Sequence, residues 1–334
     1  MAGAVFGAVF GGAWACGAAA AHNHIKALAI LTVRVMIFLG REVYVAAHQK
    51  RQDLAVTLIV GLGLCATLSG REPRLKDVVS RLEKYLTTYE RELATLVAEE
   101  HYDQSMQLAD GSAATRRTVT SDFGFLRLPG RPEWLGLRDT FAVDGHAVPD
   151  HQRGRLDRVL TEGSNPQDLA RRIVDENARY NLGGVARTIN VPMLALDLLG
   201  RRNRGRLSFQ KRGEDHLDGR TVWAITFDER QRPTLVKTPD GGNRPVRGSV
   251  LVDPSDGSVL QTELEFDDGR GGASPAATIT VVYRWEATLG LLVPYEMREV
   301  YRPEANGRTL EAIDAVAHYT NFRQFHTSVR IVPR

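Results

Sequence analysis

Between Val246 and Tyr301 the apolar positions recur at every second residue, the period of a strand with one buried and one wetted face. Leu260, Thr262, Leu264 and Phe266 alternate with Gln261, Glu263 and Glu265; Ile279, Val281, Tyr283 and Trp285 repeat the pattern, and Val293, Tyr295 and Met297 repeat it again. Before them Val246 to Asp253 predicts a further strand, joined to the next by Asp253-Pro-Ser-Asp-Gly257, where proline presets φ and glycine tolerates positive φ. Four such strands in succession predict an antiparallel meander, and its oily face needs a cover.

From Pro73 to about Glu100 the spacing changes to three and four. Leu75, Val78, Val79, Leu82, Leu86, Tyr89, Leu93, Leu96 and Val97 fall on one face of a single long amphipathic helix. Strands are predicted at Thr115 to Leu128 and Trp134 to Val143, with Asp144-Gly145 as a hairpin turn. Asn165-Pro166 supplies a cap and first-turn proline for a second helix that Gly183-Gly184 closes, and a short helix covers Met193 to Leu199. Strands resume at Leu207 to Arg212, Thr221 to Phe227 and Thr234 to Lys237, and the last runs from Leu310 to Phe325. With no internal repeat and no long low-complexity linker, residues 71–334 read as one α+β domain, an antiparallel sheet with helices 73–100 and 166–182 as its cover.

Residues 1–70 differ in kind. They hold three apolar runs, Met1 to Ala21, Ala27 to Ala47 and Leu54 to Leu68. The third follows Lys50-Arg51 and ends at Thr67-Leu-Ser69, the layout of a secretory signal over about residues 50–69 with removal near Ser69. The expected location is therefore periplasmic or secreted. The second run carries Arg34, Arg41 and Glu42, which are costly at a bilayer centre. A start assigned too far upstream accounts for residues 1–47; an N-terminal membrane anchor is the alternative. Both cysteines, Cys16 and Cys65, lie in this leader, so the body has no disulfide and no thiol ligand. Leu64 before Cys65 disfavours lipidation.

The charge of +3 over 334 residues also narrows on inspection. Taking the leader's five Lys/Arg and two Asp/Glu from totals of 43 and 40 leaves 38 of each in the body. A nucleic-acid partner is not expected of a chain with no basic surplus. No G-x-S-x-G, P-loop or cysteine metal motif occurs. His22-Asn-His24 sits in the apolar leader, and the histidines of the body lack paired-ligand spacing, so neither an enzyme nor a metal or cofactor site is predicted.

A long helix, strands, an intervening helical segment and a run of antiparallel strands resemble the periplasmic lipoprotein-carrier fold of the LolA-like family. The likeness is carried by Phe125-Leu-Arg-Leu-Pro-Gly-Arg-Pro-Glu-Trp134 with Val143-Asp-Gly145, and by Gly248-Ser-Val-Leu-Val-Asp253 with Gly257-Ser-Val-Leu-Gln-Thr262. It implies a curved sheet, an incomplete β-barrel, closed by helices over an apolar cavity. It implies in turn an apolar ligand, lipid or lipoprotein-like partner. The family's latch arginine before Pro-Gly is replaced by Leu128 and the arginine before the tryptophan by Glu133, so that latch is not carried over.

The candidate ligand-binding residues are the sheet aromatics Trp134, Phe141, Trp223, Phe266, Tyr283 and Trp285. The same side chains would serve equally as an ordinary sheet core, which defines the alternative: an envelope scaffold whose sheet is filled and takes no ligand. Arg201, Arg202 and Arg204 are the densest basic cluster of the body, a candidate contact to a membrane surface against the simpler role of a solvated loop.

Overall fold

The structure, a computed structural model, describes residues 72–93, 96–110, 114–127, 134–149, 166–183, 187, 189–217, 219–237, 242–267, 276–302, 304–305, 308–309 and 311–324. The predicted leader lies outside the described residues. Helix α1 spans Leu75–Leu93 and buries Val78, Val79, Leu82, Leu86, Tyr89 and Leu93, the stripe expected from their spacing. It stops earlier than the periodicity predicts, because Leu96–Leu108 is strand β1. There Leu96, Ala98, Glu100, Tyr102 and Gln104 are all buried. Two of those inward positions are polar, which hid the alternation and let Leu96 and Val97 pass as the end of a helix.

Strands β2 (Thr115–Arg127), β3 (Trp134–Val143) and β4 (His146–Ala147) follow as a meander. The turn before β4 holds Asp144 and Gly145 at φ of 49° and 77°, as a two-residue hairpin requires. Helix α2 (Pro166–Asn177) ends six residues before Gly183, the chain continuing in turns. Helix α3 (Leu194–Leu199) runs into a 3-10 turn at Arg201–Arg206. Then come β5 (Leu207–Leu217), β6 (Arg220–Glu229), short β7 (Val236–Lys237) and β8 (Asn243–Arg244), β9 (Val246–Val252), β10 (Val259–Phe266), β11 (Ala277–Glu286) and β12 (Leu291–Tyr301). Short β13 (Glu304–Ala305) and β14 (Arg308–Thr309) precede β15 (Glu311–Gln324).

Eleven strands form one sheet in the order β4-β3-β2-β1-β15-β12-β11-β10-β9-β6-β5, and every pairing is antiparallel. The first and last long strands of the described chain, β1 and β15, are paired at its middle over the register Glu100↔Tyr319 and Gln104↔Ala315. The sheet is open, with β4 at one end and β5 at the other. Its predicted meander is β9 to β12, with one departure. A bulge where Val282↔Glu296 is followed by Tyr283↔Pro294 turns Tyr295 out of the alternation. Tyr295 lies beside exposed Arg284, whose guanidinium stands 3.6 Å from its ring centre.

One hydrophobic cluster joins the buried stripe of α1, the buried side chains of α3 and the inward residues of the strands, among them Ile225, Phe227, Val250, Leu264, Phe266, Ile279 and Met297. The turn between β9 and β10 fastens α1 to the sheet. A Cβ on Gly257, which has φ of +83°, would stand 2.3 Å from the backbone carbon of Arg81. Arg81 in turn donates from Nη1 to the Pro254 carbonyl at 2.6 Å. No helix among the described residues is long and apolar enough to cross a membrane.

Candidate functional site

On the β1 side the inner face is not oily. Glu100 accepts two hydrogen bonds from Arg138 of β3, at 2.5 Å from Nε and 2.8 Å from Nη2, and a third at 3.0 Å from the Tyr319 hydroxyl. Both charged side chains are almost fully buried, at 0% and 3% exposure. Burial opposes the Arg138 charge, but the adjoining Glu100 carboxylate outweighs it and holds the guanidinium more firmly protonated than usual. The guanidinium also lies 5.1 Å from the Phe123 ring centre and 5.2 Å from that of Tyr102.

A second cation enters from outside the sheet. Arg187 lies between α2 and α3 in the chain and is 1% exposed. It donates to the Tyr102 hydroxyl at 2.8 Å, to Gln104 Oε1 and to the Leu182 carbonyl, and stands 3.9 Å from Glu299 of β12. Glu299 also accepts from the Tyr301 hydroxyl at 2.7 Å. Burial raises its carboxyl above the ordinary range, with Arg187 pulling the other way. On β15 the small Ala315 stands between Gln104 and Glu299 in the register, which leaves room for the guanidinium above it.

These contacts satisfy backbone groups of residues 180–182 and 190–192, which among the described residues belong to no strand or helix. The Tyr180 carbonyl accepts from Gln104, Leu182 N–H donates to Gln104, the Asn190 carbonyl accepts from Arg138, and the Pro192 carbonyl accepts from the Tyr283 hydroxyl. Tyr180 and Leu182 are thereby tied to β1, Asn190 to β3 and Pro192 to β11. Arg138 Nη1, Arg187 Nε, Asn190 Nδ2 and Glu299 Oε1 have no hydrogen-bond partner among the described residues.

Open apolar space lies elsewhere. A cleft of about 560 Å³ is lined by Leu75, Lys76 and Val79 at the start of α1, by Arg204 and Gly205 of the 3-10 turn, and by Leu207 and Phe209 of β5. The Arg204 guanidinium lies 5.0 Å from the Phe209 ring centre and 3.0 Å from Glu83. Of the two cations beside the cleft, Arg204 is already paired with the Glu83 carboxylate.

The sequence-predicted aromatics are not gathered in one cavity. Trp223, Phe266 and Tyr283 are buried in the packed cluster at 2%, 0% and 3% exposure. Trp285 continues the inner face of β11 past its covered part and is 60% exposed, and Phe141 is 38% exposed. The Trp134 side chain lies outside the described set. Of the basic cluster, Arg204 borders the cleft, Arg202 pairs with Asp197, and Arg201 is exposed. Among the described residues no group of three His, Cys, Asp or Glu side chains is placed to hold a metal ion.

Sequence reasoning assigns no site role to Glu100, Gln104, Arg138, Arg187 or Glu299. A signal existed for three of them, since Glu100 and Gln104 are in phase with Ala98 and Tyr102, and Glu299 is in phase with Met297 and Tyr301. Arg187, in an irregular segment, had none.

No family model and no curated protein matches the sequence. Among solved structures the chain is similar to a domain described as an outer membrane lipoprotein-sorting protein from Vibrio parahaemolyticus, at 10% identity over 75% of this chain and 95% of that one, with a TM-score of 0.37. It is also similar to a LolA-superfamily protein from Nitrosomonas europaea, at 10% identity over 78% and 96%, with a TM-score of 0.31. A DUF1329 family protein from Desulfovibrio piger matches at 10% identity over 74% and 93%, with a TM-score of 0.34. At such scores they transfer no residue-level correspondence, and the fold rests on the strand order and register given above.

Proposed function

We propose that residues 71–334 form an exported, non-enzymatic binding protein with a LolA-like sheet under a helical cover, which takes an apolar ligand, a lipid or a lipoprotein-like partner. The observation that carries this reading is the cleft at the start of α1, where Leu75 and Phe209 border open space beside Lys76 and Arg204. The inner face itself is filled by Trp223, Phe266 and Tyr283 and by the Arg187 network. On this reading the ligand site lies at the rim of the sheet, where the ligand's apolar part meets Phe209 and its anionic end meets Lys76. The names of the lipoprotein-sorting domain and the LolA-superfamily protein agree with such a ligand.

A fluorescent fatty acid titrated against the full chain tests the reading. Phe209→Ala should weaken its binding by about tenfold, the loss expected when most of a buried aromatic contact of ~1.4 kcal/mol or more is removed. Trp285→Ala, away from the cleft, should leave it unchanged. No saturable binding, together with no lipid carried through native mass spectrometry from the host, would instead favour a scaffold with a filled sheet. That second reading has its own support in the packed inner face. Export is tested separately: a mature N-terminus near Ser69 is expected, and a chain that still carries Met1 to Ala47 would favour an anchor.

A further inference from the structure

The outer face of the sheet carries a cluster that neither the cover nor the cleft uses. At its middle His101 of β1 stands directly opposite His318 of β15, and His318 in turn stands opposite Glu296 of β12. Side chains so placed start about 5 Å apart and share one face. The strand neighbours of each histidine, Glu100 and Tyr102 on β1 and Ala317 and Tyr319 on β15, are buried, so both imidazoles point to solvent. Their side chains are 53% and 42% exposed. No spacing in the sequence announces the pair, because more than 200 residues separate its members.

Each ring has one nitrogen engaged and one free. His101 Nε2 lies 3.5 Å from Asp103 Oδ2, and His318 Nδ1 lies 3.7 Å from Glu296 Oε2. The two carboxylates are held in their turn: Asp103 accepts from the Thr118 hydroxyl at 2.6 Å, and Glu296 accepts from Arg298 Nε at 2.6 Å. Tyr295, turned outward by the bulge in β12, packs edge-on against His318 with 6.2 Å between ring centres and steadies that ring. His101 Nδ1 and His318 Nε2 have no partner among the described residues. A carboxylate beside one ring nitrogen favours the proton there and leaves the lone pair on the other, which is the arrangement found behind metal-bound histidines.

We infer that His101 and His318 bind one divalent transition-metal ion on the outer face through these two free nitrogens, and that the ion staples β1 to β15. Two neutral imidazoles suit ions that prefer nitrogen ligands, Cu2+ ahead of Ni2+ and Zn2+. Among the described residues no third histidine or carboxylate is placed to complete the set, so water or a small chelating co-ligand takes the remaining positions. Asp103 and Glu296 act as positioning residues, each orienting one imidazole.

Cu2+ presented as its iminodiacetate complex is the probe, because that chelator leaves positions for two adjacent imidazoles and too few for a full set of protein ligands. The full chain should take up the complex, and its urea midpoint should rise with the concentration added, as binding to the folded state requires. His101→Asn and His318→Asn should each weaken uptake by at least about tenfold and abolish the rise, since one imidazole lacks the chelate advantage of two. Asp103→Asn keeps both histidines and should weaken uptake by about tenfold through the ring it orients. The leader has metal-binding groups of its own, among them Cys16, His22, His24 and Cys65, but uptake there would be shared by the parent and every variant. Equal uptake and an equal rise in the parent and both histidine variants would overturn the inference, since other groups would then hold the metal. Loss in only one of the two would overturn it as well, by reducing the site to a single imidazole. Both side chains stand on the exposed face, so the metal-free variants should keep the parent's urea midpoint. If one does not, the electron spin-echo modulation of copper on the parent decides: two coordinated imidazoles support the site, and one or none overturns it. None of these residues lines the cleft, so the result leaves the proposed function where it stands.

Discussion

Two halves of one sheet face are covered in opposite ways. Over β6 and β9 to β11 the cover is α1 with α3, and the contact is apolar on both sides: Leu82, Leu86, Leu196 and Leu199 against Ile225, Phe227, Val250 and Phe266. Over β1, β3, β12 and β15 the cover includes the irregular residues 178–183, 187 and 189–193, held by Arg187 and by side chains that reach their carbonyls. An amphipathic helix brings its own backbone already hydrogen-bonded and needs only area. An irregular segment brings bare N–H and C=O groups, and the sheet must supply donors and acceptors for them. The polar residues on the inner face are thus the requirement of a cover without secondary structure.

The sharpest break between the halves is expected from Glu100→Ala. It strands the Arg138 guanidinium, which cannot shed its proton, in a buried site, and should lower stability by about 3–5 kcal/mol in urea unfolding. Replacing Glu100 and Arg138 together by leucine and methionine should recover much of that loss; recovery of none would mean that the pair serves chiefly to hold the Asn190 carbonyl. In the apolar half Phe266→Ala should cost a similar ~3–5 kcal/mol, through the cavity it leaves. Unlike the polar half, it should do so equally at every pH.

Glu299 sets the pH dependence of the polar half. Burial raises its folded value above the ordinary 4.5, so the folded state binds the proton more tightly than the unfolded chain. Its contribution is complete below 4.5 and is lost as pH rises from there through the folded value. Glu299→Gln should flatten stability across that window, measured as urea midpoints from pH 4 upward in steps of about one unit. An unchanged slope would place the titration elsewhere.

Smaller effects sharpen the contrast. Asn177→Ala removes the two hydrogen bonds that its side chain makes to the β3 backbone, at the Arg138 N–H and the Gly136 carbonyl, and should cost about 1–2 kcal/mol, with faster exchange of the Arg138 amide as its local signature. On the outer face Arg247→Ala breaks ion pairs to Glu265 and Asp267 whose partners are exposed to solvent, and should cost less than about 1 kcal/mol.

The legible parts of this fold are those where one residue's neighbours in sequence decide its environment. The stripe of α1, the alternation of β10 and β11, and the Asp144-Gly145 turn appear in the sequence because period and turn chemistry are local properties. Strand β1 was hidden where Glu100 and Gln104 occupy inward positions, since polarity is the only mark by which a sequence reports outwardness. The candidate ligand aromatics show the same limit. Their alternation puts Trp285 on the face of Tyr283, but whether that face is covered depends on what lies across from it.

What the chain determines by itself is helix α1 and the long strands whose inward positions are apolar, because each follows from a repeat of two or of about 3.6 residues. Tertiary structure alone decided that β1 and β15, more than 200 residues apart in sequence, meet at the centre of the sheet. It also decided that Arg187 finds Gln104 and Glu299, that Asn177 bonds the β3 backbone, and that β5 ends the strand order of the described sheet. These are pairings between distant segments, selected by the joint burial of groups whose partners no local pattern encodes.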